Sequence, residues 1–228
     1  MAMLDGPRVA AASGRTRSLC VLLHGYGADG HDLIDIARLW SPRFRDTAFV
    51  SPHAPSPRSD APPGREWFPL AASDFRLIDE GVRQAAPVLD AFLDAELARY
   101  GLGDDRLVLA GFSQGTMMAL EVGPRRKSPI AGIIGYSGLL SGVERLAEVA
   151  HKPPVLLVHG AEDPLIPVIA LHAAVKALGD AGFLVEWHVS PGLGHGIDEA
   201  GLRLGAGFLA RVLPEQGASA GTRAPGAV

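Results

Sequence analysis

The 228-residue sequence predicts an α/β fold: one mostly parallel central sheet with helices on both faces and no large cap domain. Three observations predict it. Short apolar runs alternate with longer stripes of helical period along most of the chain, the pattern of strands joined by crossover helices. Within each run successive residues are apolar, as a strand buried on both faces requires. Hydrophobic residues make up 47% of the chain, enough for a sizeable core, and no linker divides residues 18–213, so one domain is expected.

The elements follow in order. Residues 1–17 read as a flexible leader with room for one short edge strand. Residues 18–23 are the first buried strand, and a glycine-rich turn over residues 24–30 follows it. Residues 32–40 place Leu33, Ile36, Leu39 and Trp40 at helical spacing behind Asp32 as the cap. After a strand at 48–51, the proline-rich stretch 52–69 is an ordered but irregular loop, because Trp67 and Phe68 need an apolar surface to lie against. Residues 74–99 carry Phe75, Ile78, Val82, Ala85, Leu89, Phe92, Leu93 and Leu97, a long helical stripe. Pro87 interrupts it and predicts a kink or break at 84–86.

A strand at 107–110 turns through Gly111 to Gly115 into a helix carrying Met117 to Leu120. Strands at 130–137, 154–160 and 184–189 then alternate with helices at 143–150, 168–178 and 199–213, Gly179 ending the second of these. Residues 214–228 are mainly Gly, Ala, Ser and Pro and are expected to be disordered.

Charge and cysteine usage narrow the function. A net charge of −4 and a pI near 6.0 provide no basic field for nucleic acid. The one basic run, Arg125-Arg126-Lys127, reads as a solvated loop between two prolines. Cys20 is the single cysteine and lies in an apolar run, so packing is its default role. No cationic leader precedes an apolar stretch of signal length, and none approaches a membrane span. The expectation is a cytoplasmic protein, monomeric or homodimeric, without stable membrane insertion.

The chemistry centres on Gly111-Phe112-Ser113-Gln114-Gly115. A G-x-S-x-G sequence between a buried strand and a helix is a nucleophile elbow, with glycines where side chains would collide. Serine needs a base, and loops beyond the carboxyl ends of the strands are where partners belong. Asp163 follows the strand at 154–160, and His195 follows the strand at 184–189. Ser113, Asp163 and His195 also stand in the chain order of this hydrolase architecture. Glu162 competes with Asp163, and a turn-initiating role for Asp163 before Pro164 stays open. His188, His159, His31, His53, His151 and His172 have weaker claims than His195. The backbone N–H of Gln114 is one expected oxyanion donor, and a second should come from the segment Leu23 to Gly27.

Two other function classes compete. Gly25-Tyr26-Gly27-Ala28-Asp29-Gly30 fits a dinucleotide fingerprint, but the strand at 48–51 ends without the acidic residue that would bind ribose. A non-catalytic protein of the same fold would leave the three candidate residues without a purpose. Metal-assisted hydrolysis has no H-E-x-x-H support.

Five segments together carry a resemblance. They are Leu22-Leu23-His24-Gly25-x-Gly27, Arg65-x-Trp67-Phe68, Gly111 to Gly115, His159-Gly160-x-x-Asp163-x-x-Ile166-Pro167, and Gly194-His195-x-Ile197. In this order they resemble the phospholipase/carboxylesterase family of α/β-hydrolases, which includes the acyl-protein thioesterases, over roughly residues 18–213. The resemblance implies a serine carboxylesterase without cofactor or metal, with Ser113, Asp163 and His195 as the triad and the N–H groups of Leu23 and Gln114 as the oxyanion hole. It leaves simple esters, lysophospholipids and acyl thioesters as substrates. Thr116 stands where the family pattern has a second glycine, which predicts crowding at the helix start. Trp67, Phe68, Leu139 and Leu140 are expected to wall an apolar pocket, the competing role for Trp67 being to anchor its loop.

Overall fold

The computed structural model of the protein describes residues 4–60, 63–70 and 75–213. Its strands and helices, in chain order, are β1 (Arg8–Val9), β2 (Ser18–Leu23), α1 (Gly30–Trp40), β3 (Thr47–Val50), β4 (Ser56–Pro57), β5 (Arg65–Glu66), α2 (Phe75–Tyr100), β6 (Leu107–Phe112), α3 (Gln114–Val122), β7 (Gly132–Tyr136), β8 (Val155–Gly160), α4 (Ile169–Asp180), β9 (Val185–Ser190) and α5 (Glu199–Val212). Seven strands form one sheet in the order β1-β3-β2-β6-β7-β8-β9, while β4 and β5 pair separately as a small hairpin. Only β1 runs antiparallel within the large sheet.

The apolar runs work as two-faced strands. Leu19, Val21, Leu107, Leu109, Ile133 and Leu157 pack with α2, α3 and α4 on one face. Their neighbours Cys20, Leu22, Val108, Ala110, Ile134 and Leu156 pack with α1 and α5 on the other. Each leucine, isoleucine or valine among them, taken fully from water, contributes about 1.5–3 kcal/mol. Strand β6 lies between β2 and β7, so Ser113 emerges at the middle of the carboxyl edge.

Several elements differ from the sequence expectation. Helix α1 begins at Gly30, because Asp29 caps it: its side chain accepts from His31 N at 2.7 Å, and Asp32 accepts from Asp29 N at 2.6 Å. Its buried stripe is Leu33, Ile34, Ala37 and Trp40, and Leu39 is exposed. Helix α2 runs unbroken through Pro87. That proline faces solvent, where water can satisfy the freed carbonyl, while Val82, Ala85, Leu89 and Leu93 stay buried. The helix expected at 143–150 is a 3-10 helix, Val143–Glu148, and α4 continues past Gly179 to Asp180.

The leader is not loose where it is described. Leu4 is buried, β1 pairs with β3, and Arg8 reaches the buried carboxylate of Glu96 at 2.8 Å. The tail expected over 214–228 lies outside the described residues.

The basic run is only partly a solvated loop, with Lys127 exposed. Arg126 is buried and donates to Asp90, Asp94 and Asp104 at 2.6–2.7 Å. Asp90 and Asp94 lie one turn apart on α2, so this guanidinium ties the helix to the segment after α3. Replacing Arg126 by Met should lower unfolding free energy by about 3 kcal/mol, since three carboxylates lose their counter-charge. Urea denaturation would measure it, and an unchanged midpoint would contradict this role.

Candidate active site

Ser113 sits between β6 and α3 with φ 53° and ψ −115°, a conformation that L-residues rarely adopt. Such strain costs of order 1–3 kcal/mol and persists only where neighbours impose it. Here Ser113 N donates to Tyr136 O at 2.9 Å, and Ser113 O accepts from Thr116 N at 3.0 Å. Both glycines of the turn are sterically required: a Cβ at Gly111 would lie 2.3 Å from Gly115 O, and one at Gly115 would lie 1.9 Å from Leu23 O. The turn is therefore pressed directly against the end of β2.

Thr116 does not crowd this turn. Its hydroxyl accepts from Tyr136 N at 3.1 Å and lies 2.8 Å and 2.9 Å from the carbonyls of Gly111 and Tyr136, between which its one proton is shared. Space for its methyl comes from two other glycines: a Cβ at Gly135 or Gly138 would meet Thr116 Cγ2 at 2.6 Å. Gly138→Ala should destabilise the fold by about 1–3 kcal/mol through overpacking, and Thr116→Gly in the same chain should recover part of that loss. Thermal unfolding of the single and double variants checks it. Strictly additive losses would mean that the two positions do not touch.

Backbone bonds draw the loops after β8 and β9 together. Ala161 N donates to Ser190 O and Glu162 N to Leu193 O, both at 2.9 Å. Ser137, at φ 45° just past β7, donates its hydroxyl to Gly196 O at 2.9 Å and so holds the residue after His195. His195 Nδ1 then lies 2.7 Å from Asp163 Oδ2. The other carboxylate oxygen accepts from Leu165 N and Ile166 N, each at 2.9 Å. Burial works to raise the Asp163 carboxyl, but the Ile166 N–H, His195 and the Leu165 N–H outweigh it and hold it below the ordinary carboxylate value. Glu162, the rival, is exposed.

Ser113 and His195 line one cavity of about 870 Å³. Leu139 and Leu140 line it as expected from the sequence, and so do Met117, Ile166 and Ile169, which the sequence reading did not single out. The available signal was the apolar cluster Leu165, Ile166, Val168 and Ile169 just past Asp163 at the functional edge, of which the structure leaves Leu165 71% and Ile169 68% exposed.

Trp67 and Phe68 are not wall residues: both are buried in the core and absent from the cavity lining. Trp67 Nε1 donates to His24 O at 2.9 Å, and the Gln114 side chain accepts from Trp67 N and donates to Phe68 O at 2.8 and 2.7 Å. The indole N–H needed an acceptor, and the loop backbone needed partners, so the pair anchors this loop beneath the site. Gln114 also lines the cavity, whereas Leu23 does not. His24 is fully buried, its Nδ1 donating to Gly25 O and its Nε2 accepting from Ala54 N. Burial pushes its pKa down, so it remains neutral and structural.

The dinucleotide reading fails at the start of α1. Asp29 and Asp32 already occupy the N-terminal N–H groups that would meet a phosphate, and they add negative charge there.

A serine on a strained strand-to-helix turn, facing an apolar cavity at the carboxyl edge of a mostly parallel sheet, defines an α/β-hydrolase. The profile of the phospholipase/carboxylesterase family matches residues 4–213, and the chain belongs to that family. It is 28% identical to acyl-protein thioesterase 1 of Gibberella zeae over 226 residues, covering 91% of this chain and 96% of the relative. It is 31% identical to esterase YpfH of Escherichia coli, covering 87% and 84%. Among solved structures, that of esterase PE8 superposes with a TM-score of 0.90 at 46% identity, covering 93% of this chain and all of the other. The protein is accordingly a hydrolase that acts on ester bonds. Among the described residues, no helix is long and apolar enough to cross a membrane.

Proposed function

We propose that the protein is a serine carboxylesterase of small-molecule acyl esters, with Ser113 as nucleophile, His195 as general base and Asp163 as the carboxylate that orients it. The observation that carries this reading is the 2.7 Å contact between His195 Nδ1 and Asp163 Oδ2 beside a cavity that Ser113 also lines. Ser113 Oγ attacks the ester carbonyl while His195 Nε2 takes its proton, and Asp163 stabilises the imidazolium. The oxyanion is received by the N–H groups of Leu23 and Gln114, each such donor contributing about 2.7–4 kcal/mol. His195 then protonates the leaving alcohol, and water repeats the cycle on the acyl-enzyme. No cofactor enters these steps, and the reading places the enzyme in the cytoplasm.

The apolar walls suit the acyl chain. Carboxylic esters, lysophospholipids and acyl thioesters share the same tetrahedral chemistry, so the wall selects among them by length and bulk. A series of p-nitrophenyl esters of increasing acyl length, run beside an acyl thioester, tests the reading. Hydrolysis of none of them would overturn it. Leu140→Trp should cut kcat/KM for the longest ester about tenfold relative to the acetate, by filling acyl space. An unchanged length profile would remove Leu140 from the acyl wall.

A further inference from the structure

His159 closes β8 and its side chain is buried. Its Nε2 lies 2.8 Å from Ile166 O and 3.2 Å from Asp163 Oδ2. A carbonyl oxygen only accepts, so Nε2 carries the proton and donates. That N–H is spent on Ile166 O, and the neighbouring Oδ2 is the oxygen that accepts from His195. Asp163 thus has Oδ1 held by two backbone N–H groups and Oδ2 flanked by two imidazoles. Among the described residues, His159 and His195 are the titratable groups in contact with this carboxylate. Ile166, whose carbonyl His159 holds, also lines the catalytic cavity.

We propose that His159 is a positioning residue for ester hydrolysis: its N–H staples the turn over residues 163–166 through Ile166 O, and that turn supplies the backbone N–H groups of Leu165 and Ile166 that hold Asp163 Oδ1. The inference rests on the triad proposed above. With Ile166 O held, the Leu165 and Ile166 N–H groups stay on Oδ1, and Oδ2 stays aimed at His195 Nδ1. The bland alternative is that the ring merely fills space at the end of β8.

Three variants separate the two roles. The amide nitrogen of His159→Gln reaches the Nε2 position, that of His159→Asn stops near Nδ1, and His159→Leu keeps bulk without a donor. Gln should retain kcat to within about threefold, whereas Asn and Leu should lose about tenfold or more, the cost of a slightly misplaced base. Rates are normalised to sites titrated with a fluorophosphonate.

Asn and Leu variants as active as the wild type, or a Gln variant as impaired as Asn, would overturn the proposal. If Leu does not fold, the contrast between Gln and Asn decides. Should Asp163→Asn remain fully active, the triad itself fails; an inactive Asp163→Asn beside an unaffected His159→Leu overturns only the role given to His159.

Discussion

Ser113→Ala should abolish hydrolysis of p-nitrophenyl butyrate, with kcat reduced by a factor on the order of 10⁶. Without Oγ no acyl-enzyme forms, and the base has no proton to take. The fold should survive the change, because Ser113 is held by its backbone: N bonds to Tyr136 O, and O accepts from Thr116 N. Alanine inherits the same unfavourable backbone at φ 53°. Ser113→Gly should therefore be equally inactive but about 1 kcal/mol more stable than Ser113→Ala, as glycine carries no Cβ penalty there. Parallel kinetics and thermal unfolding of the two variants check both halves. Residual turnover above about a thousandth of wild type would remove Ser113 from the chemistry.

The second large effect is expected from Asp163→Asn, which should lower kcat by about 10⁴. Geometry decides which way the amide must turn. The Oδ1 site receives N–H bonds from Leu165 and Ile166, so the amide oxygen must take it. The amide nitrogen is then forced toward His195 Nδ1, where only an acceptor fits. His195 is pushed into the tautomer with its proton on Nε2, where it cannot accept from Ser113. Glu162→Gln, one residue away and exposed, should leave kcat unchanged. Equal losses in the two variants would assign the effect to the loop and not to the carboxylate.

Legibility in the sequence follows from how local each demand is. Ser113 was readable because the turn needs glycine at two fixed offsets, and steric exclusion by Leu23 O and Gly115 O imposes that locally. Asp163 and His195 were readable because each follows a buried strand, and parallel strands deliver their loops to one edge. Trp67 and Phe68 were misplaced because an aromatic pair in a loop announces an apolar surface but not which one. The partners that fix it, His24 O and the Gln114 side chain, are over forty residues away. Arg126 looked solvated for the same reason: its three carboxylates belong to α2 and the segment before β6. The stripe of α1 slipped because Leu33 fits a helical period with either Ile36 or Ala37, and only the packed sheet chooses.

The most direct test is a crystal structure of the enzyme inactivated with an alkyl phosphonate. Phosphorus should be bonded to Ser113 Oγ, the phosphoryl oxygen should face the N–H groups of Leu23 and Gln114, and His195 Nε2 should lie beside the bridging oxygen. The alkyl chain should run along Leu139, Leu140 and Ile166. An adduct on any other residue, or a phosphoryl oxygen turned away from both N–H groups, would contradict the proposed mechanism.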